Sequence, residues 1–240
     1  MRIHTARTYL SILASAAAST CSAADKMKAG VIFLHGLGDT PAGWSDLKHQ
    51  LARFDARLKS PEIEWTFPAA PTIPITINGG ATMPGWFDLF DWPIGPDAKD
   101  DRARVLQGVE AVQTQIAKLE ARGVAPERIV VGGFSQGGAM ALFTGLQYPE
   151  ALAGVLCMSG YLAKSEGFEL AAAAASTPVL HCHGVVDEVV RIGWARESVE
   201  KLKEMGVKDY TLKEYAYLGH GADMEELDDV SAWLKERLPQ

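Results

Sequence analysis

The stretch IVVGGFSQGGAMAL, residues 129–142, decides the fold. Its first residues, Ile129-Val130-Val131, form an apolar run typical of a buried strand, and the small residues from Gly138 onward are typical of a helix. Between the two lies the pattern G-x-S-x-G with Ser135 at its centre. In this context the pattern predicts a sharp strand-to-helix turn, where the glycines let the two backbones approach closely. We therefore predict a strained turn that exposes the Ser135 hydroxyl at the carboxyl edge of a sheet.

The same turn predicts a site for a negatively charged oxygen. Ser135 would stand at a helix N-terminus, whose free N–H groups favour negative charge. The backbone N–H of Gln136 would then point at the oxyanion that forms when the serine attacks a carbonyl. A second donor is expected from the loop after an early strand, here residues 35–39, and Leu37 is the candidate. His35 lies in this loop too, and we interpret it as a histidine that bonds the loop backbone rather than as a base.

A base and an acid are expected to follow such a serine in the order acid, then histidine. His220 follows the last predicted strand, in a glycine-flanked loop, and is predicted to take the Ser135 proton and pass it to the leaving group. Asp187 lies just beyond the predicted strand 179–183 and is predicted to orient His220. Glu188 is the nearest competitor. Asp223 is a weaker one, because it is better placed to cap the final helix.

His181 and His183 form a His-x-His pair within the predicted strand 179–183. Such a pair can bind a metal ion, but no third ligand lies at a telling spacing. We interpret both as packing residues and predict no metal site.

Strand and helix candidates alternate along the rest of the chain. The strands are predicted at 30–34, 64–67, 129–132, 152–158, 179–183 and 210–215, and the helices at about 40–53, 101–122, 136–148, 194–205 and 224–238. This alternation predicts an α/β protein with a mainly parallel sheet covered by helices on both faces. Residues 68–99, rich in Pro, Gly and aromatic residues, are predicted to form a long ordered loop with a functional role.

Composition restricts the class of partner. The chain has 240 residues, 48% of them hydrophobic, and a formal charge of −7. An acidic chain argues against nucleic acid as a partner, since phosphate binding needs clustered Lys and Arg. The three cysteines do not form a disulfide framework. No segment is long and apolar enough to predict an integral membrane span.

The N-terminal residues 1–27 are predicted to be an extension, and residues 28–240 one domain. Residues 1–24 contain two arginines, no acid and a modest apolar run. A secretory signal, an organelle transit peptide, a disordered tail and an upstream start before Met27 all remain open. We expect a cytoplasmic location, with secretion or organelle import as the alternative if residues 1–24 are a targeting peptide.

Several blocks between Lys28 and Leu238 match one family. They are 31–39 (VIFLHGLGD), 78–80 (NGG), 83–88 (MPGWFD), 132–138 (GGFSQGG), 159–162 (SGYL), His183-Gly184 with Asp187 and Val190, and His220. Together they resemble the acyl-protein thioesterases, a group that includes lysophospholipases and small carboxylesterases. One departure is Gly85, which stands where the family often has serine.

The resemblance implies an α/β-hydrolase fold without a large cap domain. It implies a serine hydrolase that cleaves fatty acyl thioesters of proteins and esters of lysophospholipids, so that acylated proteins or lysolipids are the substrates. No metal or organic cofactor is expected, and a homodimer is left open. Trp86 and Leu89 are candidates for lining the acyl channel, and an equal alternative is that these residues pin the long loop to the core.

Two other functions are also compatible with the sequence. The first is a general short-chain carboxylesterase without a protein substrate. The second, from a different class, is a non-catalytic binding protein with a hydrolase fold; such relatives typically lose the base or the nucleophile, whereas Ser135, Asp187 and His220 are all present here.

Overall fold

The computed structural model describes residues 29–91, 94, 99, 101–163 and 168–238. The predicted extension 1–27 lies outside these residues. Eight strands are present in this part of the chain: β1 (Ala29–Leu34), β2 (Ile63–Thr66), β3 (Thr72–Ile75), β4 (Ala81–Pro84), β5 (Ile129–Phe134), β6 (Gly154–Met158), β7 (Val179–Gly184) and β8 (Tyr210–Tyr215). Six of them form one parallel sheet in the order β2-β1-β5-β6-β7-β8. The prediction of a mainly parallel sheet is confirmed.

Helices cover both faces of this sheet. They are α1 (Pro41–Trp44), α2 (Leu47–Leu51), α3 (Arg102–Ala121), α4 (Gln136–Gln147), α5 (Ile192–Glu204) and α6 (Met224–Arg237). Apolar residues of α3, α4 and α5 belong to one buried cluster, and those of α2 and α6 belong to a second. Alternate residues of β1 enter the two clusters, as expected for a strand buried on both faces. No large cap domain interrupts the described ranges, and no helix in them is long and apolar enough to cross a lipid bilayer.

The single helix predicted at about 40–53 is wrong, because two short helices occupy this stretch. α1 ends at Trp44, and Asp46 then precedes α2 as its N-cap residue. The hydroxyl of Ser45 donates to the carbonyl of Ala42. Ser and Asp offer the backbone such local hydrogen bonds, which compete with a continuous helix.

The long loop predicted at 68–99 is also wrong in part, because it contains the antiparallel hairpin β3–β4. Gly79 and Gly80, with φ of 66° and 81°, make the turn between its strands. The buried carboxylate of Asp88 anchors this hairpin. It accepts hydrogen bonds from the backbone N–H of Thr76 at 2.7 Å and from the hydroxyl of Thr76 at 2.6 Å. Strands of four residues are too short for their alternation to be recognised in the sequence.

The site forms where β5, α4 and the end of β1 approach one another closely. Leu34 pairs with Gly133 in the sheet, so the loop after β1 begins beside the turn after β5. A β-carbon added at Gly133 would lie 2.4 Å from the backbone of Gly137, and one added at Gly137 would lie 2.2 Å from the carbonyl oxygen of Leu34. Both contacts are with backbone atoms that cannot move aside. The close approach that the G-x-S-x-G pattern predicts is therefore present on both sides of the serine.

We expect Gly137→Ala to lower the melting temperature sharply, because its methyl group would force α4 away from β1. The matched control is Gly193→Ala in α5, where an added β-carbon meets nothing within 4 Å. That control is expected to be neutral or to stabilise slightly, since Ala favours a helix by up to about 1 kcal/mol over Gly. Thermal unfolding followed by circular dichroism compares the two variants. Equal melting temperatures would contradict the packing argument.

Candidate active site

Ser135 occupies the turn between β5 and α4 in a strained conformation. Its φ of 55° and ψ of −118° lie outside the regions that non-glycine residues normally adopt. Such a conformation costs roughly 1–3 kcal/mol and persists only when the surroundings enforce it. Here the Ser135 N–H donates to the carbonyl of Met158 at 2.8 Å, and the Ser135 carbonyl accepts from the N–H of Ala139 at 3.0 Å. The predicted strained turn is present in the structure.

The three residues predicted as nucleophile, base and acid lie in one hydrogen-bonded line. Nε2 of His220 is 2.9 Å from Oγ of Ser135, and Nδ1 of His220 is 2.8 Å from Oδ2 of Asp187. The His220 side chain is 19% exposed and that of Asp187 is fully buried. The ring of Phe134 packs beside the imidazole, with 4.9 Å between ring centroids. The imidazole can therefore reach a substrate while its partner carboxylate is shielded from water.

The loop after β7 holds Asp187 through its own backbone. Oδ1 of Asp187 accepts hydrogen bonds from the N–H groups of Val189 at 2.8 Å and Val190 at 2.9 Å. Burial alone would raise the pKa of Asp187, but the hydrogen bonds from His220 and from these amides outweigh it and hold the pKa below its ordinary value of 3.8. The carboxylate is thus ionised at neutral pH and faces the histidine.

The two competing acids have other positions. The side chain of Glu188 is exposed to solvent. Asp223 is the N-cap of α6, where its side chain accepts from the N–H of Glu226 at 2.9 Å. The predicted capping role of Asp223 is confirmed.

The two residues predicted to donate to an oxyanion, Leu37 and Gln136, line the same cavity as Ser135. Gln136 begins α4, so its N–H has no partner within the helix. Leu37 lies in the loop after β1, which comes close to the serine turn: a β-carbon added at Gly36 would be 3.4 Å from that of Ser135. Within the described residues neither N–H has a hydrogen-bond acceptor, whereas the next amide, that of Gly38, donates to the carbonyl of Pro84 at 2.8 Å.

The ring of His35 shapes this loop, as the sequence predicts. Its Nδ1 lies 2.8 Å from the carbonyl of Gly36, which can only accept, so Nδ1 carries the proton. Its Nε2 accepts from the N–H of Ala70 at 3.1 Å. With both nitrogens occupied and the ring buried, His35 is not available as a base.

The side chain of Gln136 has a second role that the sequence did not reveal. Its Oε1 accepts from the N–H of Trp86 at 2.7 Å, and its Nε2 donates to the carbonyl of Phe87 at 2.7 Å. The indole N–H of Trp86 in turn donates to the carbonyl of His35 at 2.9 Å. The residue whose backbone N–H is the predicted oxyanion donor therefore also fixes the segment 86–87 to the helix that follows the serine.

A cavity of about 230 Å³ adjoins Ser135. Its lining is mainly apolar: Leu37, Ile77, Leu89, Ile94, Tyr161, Val189 and Val190, with Asn78, Ser135, Gln136 and His220 as polar members. Leu89 lines this cavity. Trp86 does not; it is 1% exposed and its hydrogen bonds tie the loop to the core, which is the alternative that the sequence left open for it.

His181 and His183 are fully buried on β7 and hydrogen-bond to neighbouring groups. In the described part of the chain, no cluster of three or more His, Cys, Asp or Glu side chains could hold a metal ion. The two cysteines described, Cys157 and Cys182, are free and buried.

Comparisons with known proteins extend over almost the whole chain. A model of the phospholipase/carboxylesterase family matches residues 15–238. Acyl-protein thioesterase 1 of Neurospora crassa is 41% identical over 221 residues, covering 88% of this chain and 88% of that protein. Acyl-protein thioesterase 1 of Emericella nidulans is 38% identical over 223 residues, covering 89% and 92%.

Solved structures show the same architecture. The crystal structure of Arabidopsis thaliana SOBER1 matches with a TM-score of 0.82 at 33% identity, covering 88% of this chain and 99% of that one. The crystal structure of Zea mays acyl-protein thioesterase 2 matches with a TM-score of 0.74 at 32% identity, covering 89% and 95%.

Proposed function

Because this chain belongs to the phospholipase/carboxylesterase family and is a hydrolase with the α/β-hydrolase fold, we propose that Ser135, His220 and Asp187 carry out its reaction through an acyl-enzyme. The observation that carries this proposal is the unbroken line of hydrogen bonds from Asp187 through His220 to Ser135, at 2.8 and 2.9 Å. In this line each residue has the role that its chemistry allows: carboxylate, imidazole and hydroxyl.

In the first half of the reaction the serine is acylated. Nε2 of His220 takes the proton of the Ser135 hydroxyl while Oγ attacks the substrate carbonyl carbon. The carbonyl oxygen becomes an oxyanion, which the N–H groups of Leu37 and Gln136 stabilise. Asp187 stabilises the imidazolium through Nδ1–H. When the tetrahedral intermediate collapses, the bond to the thiol or alcohol breaks, and His220 gives its proton to that leaving group.

In the second half, water releases the acyl group. A water molecule gives a proton to Nε2 of His220 and attacks the carbonyl carbon of the acyl-serine. The same two N–H groups hold the second oxyanion. The Oγ–acyl bond then breaks, Ser135 recovers its proton from His220, and a carboxylic acid leaves. No step requires a metal or an organic cofactor, so none is proposed.

We propose fatty acyl thioesters of proteins, and esters of lysophospholipids, as the substrates. The relatives named acyl-protein thioesterase 1 support this choice. The mainly apolar cavity beside Ser135 supports it as well, because Leu89, Ile77 and Ile94 can pack against an acyl chain. The alternative is a short-chain carboxylesterase without a protein substrate. A relative from Oryza sativa, named probable carboxylesterase and 36% identical over 223 residues, supports this alternative.

A chain-length series tests the substrate proposal. We expect kcat/KM to rise from acetyl to long-chain acyl thioesters, since each methylene buried in the cavity contributes up to about 0.8 kcal/mol. Leu89→Trp should fill the cavity and lower kcat/KM for long acyl chains while leaving acetyl thioesters almost unaffected. The acetyl substrate is thus the control within the same variant. If kcat/KM is highest for the acetyl thioester in both the wild type and Leu89→Trp, the short-chain carboxylesterase is favoured.

A palmitoylated peptide and a lysophosphatidylcholine separate the two proposed substrates. Release of the acyl group from one and not the other identifies the leaving group that the site accepts. The cytoplasmic location and the homodimer stay predictions.

A further inference from the structure

The side chain of His183, on β7, lies directly behind the catalytic acid. It is fully buried, and its Nε2 is 2.7 Å from the carbonyl oxygen of Val190 and 3.5 Å from Oδ2 of Asp187. A carbonyl oxygen can only accept, so Nε2 of His183 carries a proton. This N–H therefore faces the same short loop whose amides hold Asp187.

The hydrogen bond from His183 continues into a chain of buried groups. Nδ1 of His183 lies 3.3 Å from Nε2 of His181, and Nδ1 of His181 lies 2.9 Å from the hydroxyl of Tyr210 on β8. Burial lowers the pKa of His181 to about 3, and burial lowers that of His183 below 6.5, so both rings are neutral at pH 7. A neutral ring has one donor and one acceptor. Because Nε2 of His183 donates to Val190, Nδ1 of His183 accepts from Nε2 of His181, and Nδ1 of His181 accepts from the hydroxyl of Tyr210. The backbone of Gly160 is a further hydrogen-bond partner of His181.

The direction of these hydrogen bonds determines whether Nε2 of His183 presents a proton or a lone pair to Asp187. If the proton of His183 were on Nδ1, the lone pair of Nε2 would face the Val190 carbonyl at 2.7 Å and the Asp187 carboxylate at 3.5 Å, and both contacts would be repulsive. Val190 is held at both ends of its own residue: its N–H donates to Oδ1 of Asp187 at 2.9 Å, and its carbonyl accepts from His183. The charged and titratable groups near His183 are Asp187, His220 and Glu214, together with the ring of His181 at 3.3 Å.

We propose that His183 is a positioning residue for Asp187, and that His181 and Tyr210 fix the tautomer of His183 that this role requires. The proposal rests on the catalytic role of Asp187 given above. His183 touches neither the substrate nor the reacting atoms, so it acts through the loop and the carboxylate, which in turn set the position of His220.

His183→Phe removes the donor and keeps a ring in the buried space. We expect kcat for a nitrophenyl ester to fall about 100-fold with little change in KM, which is the size of loss that small misplacement of a catalytic group produces. The acid limb of the pH profile should move to lower pH, because a displaced Asp187 stabilises the imidazolium of His220 less. His183→Gln places an amide N–H near the position of Nε2 and should restore most of the activity.

Two controls separate positioning from loss of folded protein. Rates are divided by the concentration of folded enzyme, measured by near-UV circular dichroism. Cys182→Ala changes a fully buried residue of the same strand that belongs to the other apolar cluster. It is expected to lower the melting temperature while kcat and the pH profile stay as in the wild type.

A double-mutant cycle decides whether His183 acts through Asp187. In an Asp187→Ala background there is no carboxylate to position, so adding His183→Phe should have almost no further effect on kcat. An equal fractional loss in both backgrounds, or a kcat unchanged by His183→Phe, would overturn the proposal. If His183→Phe does not fold, Tyr210→Phe, which removes only a hydroxyl, must still lower kcat and move the acid limb; a wild-type profile from it would overturn the proposal too. Failure of the proposed function would look different, because Ser135→Ala would then retain activity.

Discussion

Ser135→Ala is expected to lower kcat for ester and thioester hydrolysis about 10⁶-fold while the protein remains folded. The variant lacks the Oγ that is proposed to form the acyl-enzyme and that lies 2.9 Å from Nε2 of His220. A short-chain nitrophenyl ester and a fluorophosphonate probe measure turnover and covalent labelling. Undiminished turnover would refute the assignment of the nucleophile. Absence of labelling in the folded wild type would favour the non-catalytic binding protein.

Ser135→Gly provides the matched variant, because it removes the same hydroxyl and also relieves the backbone. Glycine adopts a φ of 55° at little cost, whereas alanine keeps the strain of the wild type. Both variants should lose activity equally, and the glycine variant should be more stable than the alanine variant by about 1 kcal/mol. Urea unfolding compares them. A glycine variant that is less stable than the alanine variant would show that the turn is not strained.

The parts of the site that the sequence predicts are those that local geometry dictates. An apolar strand, a glycine-flanked serine and a small-residue helix allow only a close turn, so the position of Ser135 follows from a few neighbouring residues. The carboxyl ends of parallel strands meet at one edge, so Asp187 after β7 and His220 after β8 are expected there. The structure brings all three within hydrogen-bond distance.

The parts that the sequence did not predict depend on contacts between distant segments. The side chain of Gln136 bonds the backbone of Trp86 and Phe87, and the separation along the chain is about fifty residues. The sequence indicates only a packing role for His183, because nothing near it in the sequence identifies His181 or the Val190 carbonyl as hydrogen-bond partners. The β3–β4 hairpin is not predicted for a different reason: its strands have four residues each, too few for their alternation to be recognised.

Asp187→Asn is expected to lower kcat about 10⁴-fold, and the hydrogen bonds of the wild type give the reason. The N–H groups of Val189 and Val190 both point at Oδ1, so the amide oxygen of the new asparagine must occupy that position. Its NH₂ group then faces Nδ1 of His220 at the place of Oδ2, and a donor there requires Nδ1 to be the acceptor. The proton of the neutral ring moves to Nε2, which can no longer take the proton of Ser135.

Comparison with Asp187→Ala separates the effect of the tautomer from the effect of losing the charge. Asp187→Ala also removes the carboxylate, but leaves no donor opposite Nδ1, so His220 can adopt either tautomer and the alanine variant should be more active than the asparagine variant. Equal activity of the two variants would contradict the tautomer argument.

The pH dependence of stability gives an independent measurement of the same carboxylate. The lowered pKa of Asp187 contributes stability that is present above the ordinary carboxyl pKa of 3.8 and is lost as the pH falls through the lower value of the folded state. The melting temperature of the wild type should therefore exceed that of Asp187→Asn at neutral pH, and the difference should narrow as the pH falls from 3.8 towards the lower pKa of the folded state. A difference that stays constant from pH 7 to pH 3 would mean that the hydrogen bonds to Oδ1, which asparagine retains, hold the loop without help from the charge.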